Sequence, residues 1–458
     1  MSQAQQAGDG LEGAARGRAM AAVSLAVMLS TLDYALANVA LPTIARDIHT
    51  DSSNAIWVIN AYQLVNVVAV LPLAALGERW GYRRMAQTGV LVFVVASVLC
   101  AVSRTLPQLA AARGLQGLGA SCILSVNAGL IRLIYPQRIL GQGIARNALV
   151  IALGVAIGPT VAAGVLSVAP WPYLFYLNVP LGLLAWLLGQ ASLPDSPRSD
   201  RRFDALAAVL LALGLGGLIV GGDRVAHARV DALTAGLLGV GLVAMVALVR
   251  RELGQERPLL PVDLLGIPAF AIAFAVGFIG FIASNFFIIS MPFALEGLFA
   301  RTPVETGLLI TPWPVAIVLV APWVGRLSDR VSAAWLSALG MAVAGMGFIA
   351  LRLLPAHPDN LDIAWRIGLA GAGFGLLQPP NNRAMLLAAP RERTAGASGM
   401  ISVARLLGQT VGAMLVALVL ARAAAAGPRL CLTLAAATAF LSAGLSLSRP
   451  LLPGGRSR

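Results

Sequence analysis

The sequence predicts an all-α polytopic membrane protein with fourteen transmembrane helices. Three observations predict it. Of 458 residues, 58% are hydrophobic and only 12% are charged, with a mean hydropathy of +0.82. A soluble domain usually carries about 25% charge, so there is too little polar surface here to clothe a globule in water. The apolar residues gather in runs of about 20, the length that crosses a bilayer. Short arginine-bearing segments separate the runs.

The first run, Ala21–Leu41, follows the polar, Gly/Ala-rich stretch Met1–Arg18. It is long enough to span and carries no sign of a cleavable signal peptide, so it is expected to stay in the membrane. Runs at Ala55–Leu76, Met85–Val102, Leu109–Leu130, Ala148–Val168 and Tyr173–Leu193 complete a group of six. The polar stretch Pro194–Phe203 and the segment Arg250–Pro261 bracket a pair at Ala205–Gly221 and Ala232–Val249. Six more follow at Ala269–Phe293, Gly307–Val324, Ala333–Leu351, Ile367–Leu387, Ala397–Leu420 and Leu430–Leu447. The expected organisation is a tail (1–20), a six-helix bundle (21–193), a linker with two extra helices (194–261), a second bundle (262–449) and a tail (450–458). An internal repeat supports the two bundles. Leu76-Gly77-Glu78-Arg79 and Leu327-Ser328-Asp329-Arg330 both read Leu-x-acid-Arg after the second helix of a bundle. Such parallel halves are typical of secondary transporters.

Formal charge is +13, yet the basic residues are spread over many short loops, which points to topology rather than to nucleic acid. With the N-terminus inside, 22 arginines fall in the tails and inner loops against 9 in the outer loops. The positive-inside rule therefore puts both termini in the cytoplasm. All 33 basic residues are Arg, which suggests a GC-rich genome and a bacterial inner membrane. Cys100, Cys122 and Cys431 lie in apolar runs, too scattered for disulfides or a metal cluster. His49, His227 and His357 lie in loops. No metal site is expected. No Walker-type glycine loop is present, so the expected energy source is a proton gradient with no cofactor.

Of twenty carboxylates only Asp33 falls well inside a predicted helix. An ionisable group in the membrane is costly and marks function by default. Burial disfavours a charged carboxylate and a nearby cation favours it, so a carboxylate held between the two can exchange a proton. Arg113 is the second buried charge. An unpaired arginine there would be expensive, and Asp33 is the one mid-membrane acid available in the first bundle. Arg405, in the thirteenth helix, reads as snorkelling toward the cytoplasm or capping helix ends, with a substrate role as the alternative. Gly154 to Gly164 spaces small residues by four around Pro159, giving a tightly packed, kinked helix. Tyr34, Asn38, Tyr62, Gln63, Trp313 and Gln378 are candidates to line a substrate cavity. Trp57 and Trp171 read as interface anchors.

Taken in order, these motifs resemble those of the fourteen-helix drug:proton antiporters of the major facilitator superfamily, from the first helix to the thirteenth. The carriers of the resemblance are Leu32–Pro42, Leu76–Arg84, Arg113–Gly119, Gly154–Gly164, Phe175–Gly182, Gly396–Gly399 and Arg405–Gly408. The sequence departs from the pattern at Ala35, Ala74, Glu78, Ala162 and Ala163. The resemblance implies a major facilitator fold: two six-helix bundles about a central cavity, with the extra pair at the side. It implies proton coupling at Asp33 and Arg113, and gating through Glu78, Arg79, Gly81, Arg83, Gly158, Pro159, Asp329 and Arg330. It implies a non-enzymatic role, exporting small, mainly hydrophobic or amphipathic molecules such as drugs, with protons, the small-molecule substrate and the lipid bilayer as its only expected partners. Cation-exporting members carry further membrane carboxylates in their second half. None is visible here, which leaves monocations, zwitterions and neutral molecules. A dedicated exporter of one metabolite, or an uptake symporter, shares the same features. A scaffold, sensor or enzyme would call for a soluble domain or a catalytic constellation, and neither is seen in the sequence.

Overall fold

The computed structural model describes residues 10–196, 198, 203–226, 231–255, 258–327, 331–390, 393–423 and 426–449. Among them the regular structure is helical, with no strand. The helices are α1 (Gly13–Asp47), α2 (Ser52–Ala55), α3 (Trp57–Trp80), α4 (Tyr82–Val102), α5 (Leu106–Ile134), α6 (Leu140–Leu166), α7 (Pro172–Tyr176), α8 (Asn178–Ser192), α9 (Ala205–Ala226), α10 (Ala232–Glu252), α11 (Pro268–Gly297), α12 (Pro303–Ile310), α13 (Pro312–Leu327), α14 (Ala333–Arg352), α15 (Asn360–Ala388), α16 (Thr394–Ala423) and α17 (Gly427–Leu447). The pairs α2/α3, α7/α8 and α12/α13 each form one crossing interrupted near its start, which gives fourteen crossings. Thirteen of these are long and apolar enough to span a membrane. The other, α15, is long enough but carries Asp362, Arg366, Gln378, Asn381, Asn382 and Arg383.

Each predicted run falls on one of these crossings, and many helices run past the predicted ends. α1 starts at Gly13 rather than Ala21, so part of the expected tail is helical, and Ala19 and Met20 are buried. α15 starts at Asn360 rather than Ile367. Hydropathy measures the part of a helix that lies in lipid. The backbone ladder continues into the polar boundary wherever caps or water satisfy its ends. Asp51, Asp231 and Ser332 cap their helices, and Thr302 with Glu305 forms a reciprocal capping box at α12.

The packing repeats from one half to the other. In the first half α1 packs on α6 and α8, while α3 and α4 pack on α5 and α4 also packs on α8. In the second, α11 packs on α16 and α17, while α13 and α14 pack on α15 and α14 also packs on α17. Glycines make the same close approaches in both. A side chain at Gly117 would strike the backbone of Tyr62, and one at Gly371 would strike that of Trp313. Gly89 and Gly119 bring α4 against α5, and Gly340 and Gly373 bring α14 against α15. With no hydrophobic drive between helices in lipid, such contacts supply the van der Waals attraction that assembles a bundle.

The end that carries the N-terminus of α1 and the C-terminus of α17 is called the terminal end here. At the opposite, far end the halves touch. Arg46 of α1 meets Glu296 of α11 at 2.6 Å, in an ion pair without an aligned hydrogen bond. Ser53 of α2 donates to the carbonyl of Ala417 of α16 (2.8 Å), and Thr160 of α6 lies 3.0 Å from Thr311, between α12 and α13. On the terminal side, Gln142, Ile144, Leu149 and Leu153 of α6 are exposed. α9 packs on both α3 and α16, and α10 packs on α9 outside it. Trp57 ties this pair inward, its indole donating to Asp223 of α9 at 3.0 Å.

Candidate functional site

Asp33 and Arg113 are buried in the interior of the first half, with 1% and 0% of their surface exposed. The position of Arg113 early in α5 brings it level with the middle of α1. Its Nη1 donates to Asp33 Oδ2 at 2.5 Å and to Gln116 Oε1 at 2.5 Å. Its Nε donates to the carbonyl of Val58 in α3 at 2.9 Å. The guanidinium lies over the Tyr62 ring, 4.6 Å from its centroid, and 5.6 Å from that of Phe175. Both are cation–π contacts.

The other carboxylate oxygen of Asp33 accepts two amide hydrogen bonds. One comes from Gln116 Nε2 at 2.9 Å and one from Asn178 Nδ2, at the start of α8, at 2.7 Å. Gln116 also donates to Ser97 Oγ of α4 at 2.9 Å. Five helices therefore meet on one carboxylate and its arginine. A buried pair needs such donors, because the attraction of the charges alone does not repay their dehydration. Arg113 Nη2, Asn178 Oδ1 and Asn38 Oδ1 have no hydrogen-bond partner among the described residues.

Chemically, the arrangement has a second state open to it, because a carboxylate can take up a proton. A proton on Asp33 would remove the charge that holds Arg113. The arginine would keep Val58, Gln116 and the two aromatic faces as partners.

The other candidates fall into four places. Tyr34 spans the halves, its hydroxyl donating to Asn285 Oδ1 of α11 at 3.2 Å, while Asn285 donates to the carbonyl of Gln409 of α16. Asn38 donates to the carbonyl of Tyr34 at 2.8 Å. Tyr62 and Gln63 are buried on α3, and Gln63 Nε2 has no partner among the described residues. Gln378 is partly exposed on α15. Trp313 stands elsewhere, 3% exposed in an aromatic cluster, stacked 4.7 Å from Phe287 and near Phe348 and Phe374. That is a packing position in the core of the second half.

Among the motif residues, Gly81 turns α3 into α4 with φ +99°, where glycine is favoured. Arg83 donates to the carbonyl of Gln190 at 2.5 Å and lies 3.7 Å from Asp195. Glu78 and Arg79 sit on the last turn of α3, Arg79 exposed. Gly158 faces Ala35 and Gly154 faces Thr31, so α6 lies directly on α1, and the carbonyl of Pro159 lies against Gly307 of α12. Asp329 and Arg330 lie outside the described residues. The two tryptophans expected as anchors are tied by their indoles, Trp57 to Asp223 and Trp171 to Asp47 at 2.6 Å.

Arg405 departs from the expectation that it snorkels. It stands near the middle of α16, partly exposed, within electrostatic reach of Tyr34 and Tyr62. Gln116, Ser97, Asn178 and Asn285 were not singled out from sequence. Gln116 follows Arg113 by one helical turn, and that spacing was the available signal.

Residues 23–413 match the Major Facilitator Superfamily. A protein of Escherichia coli (strain K12) described as "Uncharacterized transporter YebQ" is 45% identical over 447 residues, covering 96% of this chain and 98% of that protein. "Multidrug resistance protein Stp" of Mycobacterium tuberculosis (strain CDC 1551 / Oshkosh) is 28% identical over 87% of this chain and 75% of its own. "Riboflavin transporter RibZ" of Clostridioides difficile (strain 630) is 26% identical over 85% of each. Among solved structures, a POT family transporter in complex with 5-aminolevulinic acid has the same fold, with a TM-score of 0.73 at 15% identity over 94% of this chain and 95% of that one. The repeated halves, the buried charge pair and these relatives agree: the chain belongs to the Major Facilitator Superfamily of transporters.

Proposed function

We propose that this transporter exports small, mainly hydrophobic or amphipathic molecules across the cytoplasmic membrane in exchange for protons, by alternating access. The observation that carries the reading is the Asp33–Arg113 pair, the one ion pair buried at mid-membrane among the described residues. A charge that costly is retained where its protonation is used. In the proposed cycle Asp33 takes a proton from the outside, Arg113 turns toward its neutral partners, and cargo leaves. Loss of the proton inside restores the pair and the affinity for new cargo. The two halves rock about the central site. The arginine bias supports cytoplasmic termini, which would put the Arg46–Glu296 contact on the outer side. Relatives described as multidrug resistance proteins support drug-like cargo. The riboflavin transporter among the relatives supports a second reading, a carrier dedicated to one metabolite.

The test uses purified protein in liposomes that enclose a pH-sensitive dye. A proton gradient is imposed, and lipophilic cations and neutral drugs are added to wild type and Asp33→Asn. Substrate-dependent proton flux that vanishes in the variant is expected. Flux that survives in Asp33→Asn would place coupling elsewhere, and no flux with any compound would favour the dedicated carrier.

A further inference from the structure

We infer that the central site takes an amphipathic organic anion, whose acidic group is held by Arg405. The inference rests on the transport reading for the site's location, but not on proton exchange. Arg405 is the twelfth of the 30 residues of α16, three turns inside the helix and within its membrane-spanning part. Among the described residues none gives it a hydrogen bond or an ion pair. An arginine at this depth is costly and is normally paired or turned to a water-filled cavity. Its partial exposure, and the packing of its neighbour Leu406 on Val67 and Val70 of the opposite half, place it beside the seam between the halves.

The charge balance of that space is positive. Asp33 is matched by Arg113. Every other carboxylate on a described helix stands in an end turn: Asp47, Glu78, Asp223, Glu252, Glu296, Glu305 and Asp362. Those facing inward have their own partners. Asp223 accepts from Trp57, Glu296 meets Arg46, and Glu252 accepts from the backbone N–H of Leu260. Nothing described on the protein neutralises Arg405, so a ligand that brings one negative charge would.

Uncommitted amides flank the same seam. Asn60, Gln63, Val67 and Val70 recur at helical spacing on one face of α3. Val67 and Val70 pack on Leu406, the neighbour of Arg405, so this face is turned to α16. Asn60 Nδ2 and Gln63 Nε2 are buried donors without partners among the described residues. A planar acid group suits a guanidinium with such donors beside it. Apolar Val67, Val70 and Leu406 pack on one another and close the seam beside the arginine.

The test compares one scaffold in three charge states: 1-naphthylacetate, 1-naphthylacetamide and 2-(1-naphthyl)ethylamine. Binding to the purified full-length transporter is measured by equilibrium dialysis without any gradient, for wild type, Arg405→Gln and Arg405→Lys. Wild type should bind the acetate about tenfold or more tighter than the amide, the size of one charge-assisted contact. Arg405→Gln should bind the two alike, and Arg405→Lys should keep part of the preference. Equal binding of all three compounds by wild type, binding of none, or an acetate preference that persists in Arg405→Gln would overturn the inference. Loss of binding for every compound in Arg405→Gln, with its thermal stability unchanged, would also overturn it. Failure of proton exchange, by contrast, is read only in the liposome assay with Asp33→Asn.

Discussion

Asp33 and Arg113 are joined twice, directly at 2.5 Å and again through Gln116, which accepts from the arginine and donates to the aspartate. A pair so enclosed is unforgiving of single changes. Arg113→Gln leaves a buried carboxylate without its cation and should cost about 3–5 kcal/mol of stability. The double variant Asp33→Asn, Arg113→Gln removes both charges and should regain most of it while still failing to couple protons. Thermal unfolding in detergent, read beside the liposome assay, checks both. A double variant no more stable than Arg113→Gln would show that the pair's charges are not what matters.

Gly158 meets Ala35 with no room for a side chain. Gly158→Val should push α6 away from α1 and destabilise the first half by about 1–3 kcal/mol. Transport should fall with it, while Gly164→Ala, at a position with open space, should be silent. Melting temperature and drug efflux from cells measure the two effects.

At the far end, Glu296→Gln removes the charge that holds Arg46, and with it a contact between the halves. The equilibrium should move by a few-fold toward opening at that end, as expected for a partly exposed pair. Accessibility of a cysteine placed at Ser53, which lies at that contact, reports the shift. Unchanged labelling in Glu296→Gln would mean the pair does not hold the halves together.

Asp204, just before α9, lies below the usual carboxylate range. Burial pulls its pKa up, but the N–H of Ala207, Gln255 and Arg251 stabilise the charged form and outweigh it. A lowered pKa adds stability above the unfolded value, and that stability is lost as pH falls through the folded value. Because Asp204 is close to solvent, the gain should be at most about 1 kcal/mol. Wild type should therefore unfold at a higher temperature than Asp204→Asn at pH 7, and the difference should persist in mildly acidic buffer and close only as pH falls below the ordinary carboxylate value of 3.8.

The three native thiols are buried, so an introduced cysteine can be labelled alone. With both termini inside, an impermeant maleimide added to whole cells should label a cysteine at His357 and spare one at Arg198. The reverse pattern would invert the proposed orientation.

Crossings were legible in the sequence because each is a long apolar run, and one face or another must meet lipid. The site was legible only in its charges. Asp33 and Arg113 stand out because an ionised group in an apolar run is rare. Gln116, Asn178 and Ser97 are ordinary polar residues until the fold brings α4, α5 and α8 together on Asp33. Asp223 was placed beyond the seventh helix because hydropathy ends at Gly221, whereas α9 continues to Ala226. Arg405 and Trp313 show the opposite limit. Helical position alone does not say whether a side chain faces lipid, the core of its own half or the gap between halves.

The docking of α9 on both α3 and α16, fastened by Trp57 and Asp223, makes the molecule lopsided toward the lipid around it. One seam between the halves is shuttered along its length. The other lies where α6 meets α12 and α13, with which neither α9 nor α10 makes a substantial contact among the described residues. A compound entering from the leaflet would meet the extra helix pair on one flank and the α6 seam on the other, so the pair would decide which flank of the transporter faces that traffic. Cross-linking α6 to α13 near the terminal end should slow uptake of membrane-dissolved dyes, while cross-linking α9 to α3 should not.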